Sequence, residues 1–143
     1  MLDLGYKLLG VLEVIHGAGF VHNDISIDKL AVGTGQRIRL QNEVQTNDNL
    51  FDQVSINICD FSYISPYLCP QTKKHLKREK VSGLINISNE LQSLNRLKSV
   101  RTSRRDDLEM LCNLLIFLSN QYSLPDIEPP RDCKNPDQMM IYL

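Results

Sequence analysis

The segment 105–119, RDDLEMLCNLLIFLS, limits what this chain can fold into more than any other stretch. Leu108, Leu111, Cys112, Leu115 and Leu118 would share one side of a helix there, while Met110, Leu114 and Ile116 would occupy the other. A helix that is apolar on nearly every side has no face to give to water. It belongs in the middle of a domain, with other elements packed around it. At 143 residues the chain has room for one such domain and too little for two ordinary ones. A 42% hydrophobic, 23% charged composition can supply the core and excludes wholesale disorder.

Around this helix the remaining segments sort themselves by periodicity. Leu4, Leu8, Leu12 and Ile15, with Leu9 and Val11 beside them, predict a helix from the first residues, stopped by Gly17 and Gly19. The run FVHNDISIDKLAVG has a β-rich start, a polar middle and a short apolar exit, and reads as a structured loop. Residues 34–52 are polar and predict an excursion between two short strands. Val54, Ile56 and Ile58 then alternate as a strand does and lead straight into Asp60-Phe61-Ser62. Residues 63–103 carry loop signals, with Pro66, Pro70, a lysine cluster and one short helix expected within 89–98. Beyond Leu124-Pro125 the composition turns to Pro, Asp and Glu, marking 126–143 as a tail.

The formal net charge of −1 argues against a globally basic nucleic-acid binder, yet the charge is unevenly spread. Between Gln71 and Arg105 lie ten basic residues and two acidic ones, while the rest of the chain holds six basic and fifteen acidic. That basic stretch attracts anions, or is a solvated charged loop; no aromatic residues interleave it, which disfavours a stacking platform for single-stranded nucleic acid. Arg104 and Arg105 at a helix start oppose the macrodipole, and Asp106 and Asp107 are their expected partners. Four cysteines without a CxxC pair argue against zinc and against a disulfide framework. Cys59 and Cys112 are expected as small core residues, and His16 as a helix cap or core group. No apolar stretch reaches the ~18–20 residues of a membrane span, and no basic leader precedes the first apolar run. The expectation is an intracellular protein, cytoplasmic or nuclear, with no membrane partner.

Three features fall in a telling order: a helix ending in glycine, then His22-Asn23-Asp24, then a strand into Asp60-Phe61-Ser62. Some forty residues later Ser103-Arg104-Arg105-Asp106-Asp107-Leu108-Glu109 opens the apolar helix. This resembles the C-terminal lobe of eukaryotic protein kinases. IHGAGFVHNDIS and SRRDDLE point to the casein kinase I and vaccinia-related kinase branch, and the resemblance covers roughly residues 1–125. It implies that Asp24 stands at the catalytic base position and Asp60 at the magnesium-binding position. It implies further that Asp107 anchors the catalytic loop and that His22 packs beneath it as a structural residue. Phosphoryl transfer depends on positioning and charge neutralisation, so these carboxylates matter only with their counter-charges in place.

Those counter-charges are altered. Where the family has Arg, Lys and Asn, this chain has Asn23, Ser26 and Lys29, and the glycine of Asp-Phe-Gly is Ser62. Ser26 and Lys29 are therefore degenerate cofactor-binding positions. An ammonium at a metal-ligand position repels Mg²⁺; either Lys29 itself neutralises Asp60 or Asp24 and locks the pocket metal-free, or it swings into solvent. The chain opens at the helix before the catalytic loop, so the glycine-rich loop and phosphate-pairing lysine of the family's N-lobe are expected to be missing. The family's Leu-Pro-Trp corner reads Leu124-Pro125-Asp126 here, and a truncated gene model or a degenerate relic is expected.

The fold expected is mainly α with a small β-hairpin carrying the two aspartates, a truncated kinase-like C-lobe. Its 34–52 loop is extended, residues 60–103 form an activation-segment-like region and 126–143 a tail. The function implied is a casein kinase I-like fragment without catalytic activity, a pseudokinase with a binding or scaffold role. The alternative is an active ATP-dependent Ser/Thr kinase whose N-lobe is absent from this chain. No cofactor is expected in the first case, ATP and magnesium in the second. Lys73, Lys74, Lys77, Arg78 and Lys80 fall where the branch recognises phosphorylated or acidic segments, which makes them candidate anion-binding residues. A protein or acidic partner and self-association through exposed cleft surface are the expected interactions.

Overall fold

Leu8, Leu12 and Ile15, spaced four and three residues apart, place one apolar stripe along helix α1 (Leu2–Gly17), and all three are buried. The stripe faces the helix α3 (Arg104–Ser119), which contributes Met110, Leu111 and Leu114 to the same cluster. The two helices approach closely because Gly5 has no side chain: a Cβ there would stand 3.1 Å from Leu115 Cδ1. The computed structural model describes residues 2–34, 54–81 and 90–124. The expected 34–52 excursion lies almost entirely outside them, as does the 126–143 tail.

Helix α1 ends at Gly17, and the reversal is made two residues later by Gly19 at φ 91°, a left-handed conformation that glycine adopts without a Cβ clash. The chain then enters β1 (Phe20–Val21) and a loop, residues 22–26, every one of which is buried. One turn of 3₁₀ helix (Ile27–Lys29) leads into β2 (Leu30–Thr34), which pairs antiparallel with β3 (Val54–Ile58), Leu30 opposite Ile58 and Thr34 opposite Val54. Lys29 immediately precedes β2 and Asp60 follows β3 by two residues, so this pairing brings both to one end of the ribbon.

A second ribbon is not foreshadowed in the sequence. β4 (Ser65–Pro66) pairs antiparallel with β1, Phe20 opposite Pro66 and Val21 opposite Ser65. Residues 67–81 then run as an extended arm held by isolated bridges, Leu68 to His75 and Lys80 to Val100. The short helix expected within 89–98 is a single turn, α2 (Leu94–Leu97), capped by Ser93, whose Oγ accepts from Arg96 N.

Two expectations about the apolar helix are corrected. α3 is not enclosed on all sides: Leu108 is 41% and Ile116 45% exposed, because no other described element packs over that side. Cys112 lies on the same open surface and Cys59 just past the end of β3, so neither is a core residue. Nor do Asp106 and Asp107 partner Arg104 and Arg105. Both carboxylates turn inward and are fully buried, while Arg104 stacks on the Tyr67 ring with its guanidinium carbon 5.1 Å from the centroid. Asp106 caps α3 instead, accepting from Ser103 N at 2.8 Å and from Ser93 Oγ at 2.9 Å. Among the described residues no helix is long and apolar enough to cross a membrane.

Candidate functional site

The buried loop 22–26 cannot hydrogen-bond to water, so its polar groups need internal partners. Asp107, from the first turn of α3, supplies two of them. Its Oδ1 accepts from Asn23 N at 2.9 Å, and its Oδ2 accepts from His22 N at 2.8 Å and from His16 Nε2 at 2.8 Å. One carboxylate thus ties the end of α1, the loop and α3 together.

The two aromatic nitrogens of His22 are also committed. Asp24 N–H points at Nδ1 at 3.3 Å, which leaves Nε2 to carry the proton donated to Asp60 carbonyl O at 2.6 Å. The ring meets Phe61 edge-on, with centroids 5.4 Å apart. His22 therefore lies under the loop and holds it to the segment that carries Asp60.

Asn23 sits at φ 70°, a conformation asparagine tolerates better than most residues. It is fully buried, and its side chain is shared by three segments. Nδ2 donates to Tyr63 O at 2.7 Å and Ser65 Oγ at 2.8 Å, and Oδ1 accepts from Thr102 Oγ1 at 2.5 Å. The position therefore carries a buried, fully engaged amide.

At the open side of this loop stands the feature with the most chemical consequence. Lys29 Nζ lies 2.9 Å from Asp60 Oδ2, 3.4 Å from Asp28 Oδ2 and 3.9 Å from Asp24 Oδ2. One ammonium is surrounded by three carboxylates. Asp60 Oδ1 meanwhile accepts from Ser62 Oγ at 2.5 Å and Ser62 N at 2.9 Å. Ser62 is not in the left-handed region, and its hydroxyl folds back as a local cap on Asp60. The Ser62 hydroxyl first, then the Lys29 ammonium, hold the Asp60 carboxyl well below the usual carboxylate range. Asp60, in turn, raises the Lys29 amine above its ordinary value. Ser26 Oγ donates to Asp28 Oδ1 at 2.5 Å, and this bond is the main reason the Asp28 carboxyl is also lowered.

Asp24 feels a second cation. Arg96 from α2 is buried, which pulls its guanidinium down from its ordinary value, while the Asp24 carboxylate opposes that change. Asp24 is thus flanked electrostatically by Lys29 and Arg96, and nothing in the sequence near Arg96 signalled it.

These residues do not fit a resident divalent cation. An ammonium stands between the carboxylates that would share one, and like charges exclude each other at such distances. No group of three or more His, Cys, Asp or Glu among the described residues is arranged to hold a metal.

The five candidate anion-binding residues do not converge on this site. Lys73, at φ 56°, and Lys74 lie in the turn that closes the 68–75 bridge. Arg78 Nη2 donates to Asn95 Oδ1 at 3.1 Å, Lys80 pairs with Val100, and Lys77 is exposed between them. The five lie along the surface of the 67–81 arm.

No family model matches the chain. Among curated proteins it is similar to a probable casein kinase I homolog of Encephalitozoon cuniculi (strain GB-M1), 33% identical over 129 residues. The match takes in 88% of this chain and 33% of that protein, so the chain spans about a third of the relative's length. The relationship is kinase-like and extends along most of the chain.

Proposed function

We propose that this chain forms the C-terminal-lobe part of a casein kinase I-branch kinase fold whose phosphotransfer site is held inactive by its own lysine. It acts on this reading as a pseudokinase, by binding rather than by catalysis. The observation that carries the reading is the Lys29 ammonium, 2.9 Å from Asp60 and 3.9 Å from Asp24. Asp24 lies in the middle of the buried loop and Asp60 two residues past β3, and on this reading they correspond to the base and metal positions of a kinase. The charge that should arrive with nucleotide is supplied from within. An aspartate paired with an internal amine does not readily hold magnesium as well.

The partner is proposed to be an acidic or phosphorylated segment laid along the 67–81 arm. Lys73, Lys74, Lys77 and Lys80 are exposed there and add charge without a large apolar surface.

The test is a thermal-shift titration of the chain with ATP, with and without Mg²⁺, beside a Lys29→Asn variant. The proposal expects no saturable shift for the unaltered chain under either condition. A saturable, magnesium-dependent rise of several degrees would overturn it and favour the reading as an active Ser/Thr kinase.

A further inference from the structure

A cavity of about 510 Å³ lies where the C-terminal half of α1, the start of α3 and Tyr67 of the arm meet. It shares no residue with the Lys29 cluster. Leu9, Leu12 and Leu108 give it an apolar lining, and Leu9 and Leu108 are half-exposed, so that lining is open to solvent. An apolar wall carrying a few polar groups, at this size, is the build of a small-ligand site.

Three polar side chains line the same space. Arg104 lies on the Tyr67 ring, and stacking engages the face of a guanidinium while leaving its N–H edge for an acceptor. Nothing described takes that edge: the side chains of Arg104 and Glu13 make no hydrogen bond or ion pair among the described residues, although both line this cavity. A carboxylate on α1 and a guanidinium on α3 are thus held apart and unneutralised in an apolar setting. His16 commits Nε2 to Asp107 at 2.8 Å, which fixes its ring and leaves Nδ1 as an acceptor in the neutral imidazole.

A ligand matching this lining carries an ammonium for Glu13, a carboxylate for Arg104 and an apolar body for the leucines. A single amino acid does not span the site, because both its charges sit on one carbon. Packed helices have axes ~8–10 Å apart, and an extended chain of two or three residues covers ~7–10 Å. We propose that this cavity binds a short apolar peptide with free ends, two or three residues long, its ammonium on Glu13 and its carboxylate on Arg104. The site does not depend on the kinase reading. Through His16 it adjoins Asp107, and so the buried loop that Asp107 holds.

Titration of the ¹⁵N-labelled full chain with trileucine, followed by amide chemical shifts, tests this. Shifts centred on residues 12–17 and 104–108 should saturate below about 1 mM. N-acetyl-trileucine and trileucine amide, each lacking one end charge, should bind about fivefold more weakly. Glu13→Gln should weaken trileucine by the same factor and leave N-acetyl-trileucine unchanged, and Arg104→Gln should do likewise for trileucine and its amide. Both residues are exposed, so neither change threatens the fold. Absence of saturation in that range, equal binding of all three peptides, or shifts centred on other residues would each overturn the proposal.

Discussion

Replacing Asp107 by alanine isolates the contact on which the whole site rests. The carboxylate is fully buried and accepts three hydrogen bonds, two from backbone N–H groups of His22 and Asn23, which are themselves buried. Alanine leaves both donors without a partner in a place water does not reach. Each such orphan costs about 1–3 kcal/mol, and the lost His16 contact adds to it. Because the three bonds share one group and are not additive, the expected loss is about 3–5 kcal/mol. Asp107→Asn keeps the shape but turns an NH₂ toward one of the donors, so about 2–3 kcal/mol should be lost. Urea unfolding reads both numbers: with a slope of roughly 1–3 kcal/mol/M, the alanine variant should unfold about 2 M earlier at unchanged slope. Native-state hydrogen exchange of the His22 and Asn23 amides should accelerate in both variants more than that of the α1 core. An alanine variant within about 1 kcal/mol of the parent would refute the reasoning.

Further perturbations have expected outcomes. Lys29→Met probes the ion cluster through pH. The depressed Asp60 carboxyl contributes stability that is full above its ordinary 3.8 and is lost as pH falls through its folded value. The raised Lys29 amine contributes stability that is full below its ordinary 10.5 and is lost as pH rises through its folded value. The stability gap between the parent and Lys29→Met, followed by urea midpoints, should therefore be level from about pH 5 to 9 and shrink on both sides. A gap that widened toward acid would contradict this. Asn23→Ala meets both a left-handed backbone and the lost amide bonds, whereas Asn23→Gly meets only the second, so glycine should be about 1 kcal/mol the milder change in the same assay. Ser93→Ala removes the cap of α2 and one donor to buried Asp106, and about 1–2 kcal/mol should be lost.

The helices were legible because Leu8, Leu12 and Ile15, or Met110, Leu111 and Leu114, repeat at helical spacing whatever surrounds them. Which side of α3 is covered was not, since Leu108, Cys112 and Ile116 are as apolar as the residues beneath them. Periodicity measures where oil stands on a helix and says nothing of what covers it. The roles of Asp106 and Asp107 were only half readable. Resemblance marked Asp107 as the loop's anchor, but local charge logic paired both with the neighbouring arginines. The Ser103-x-x-Asp106 spacing is itself a capping-box pattern and was the better guide. The β1–β4 ribbon escaped notice because two-residue strands carry no alternation to detect. The buried amide network of Asn23 and the approach of Arg96 to Asp24 arise from segments about eighty and seventy residues apart, a distance no local pattern spans.

The claim that an internal ammonium stands where a kinase would hold its metal is tested most directly by Mn²⁺ binding followed by electron paramagnetic resonance. The account predicts that the unaltered chain leaves the free-ion signal intact up to millimolar Mn²⁺ at neutral pH, and that Lys29→Asn diminishes it in a saturable way. Saturable binding by the unaltered chain that Asp60→Asn abolishes would contradict the account.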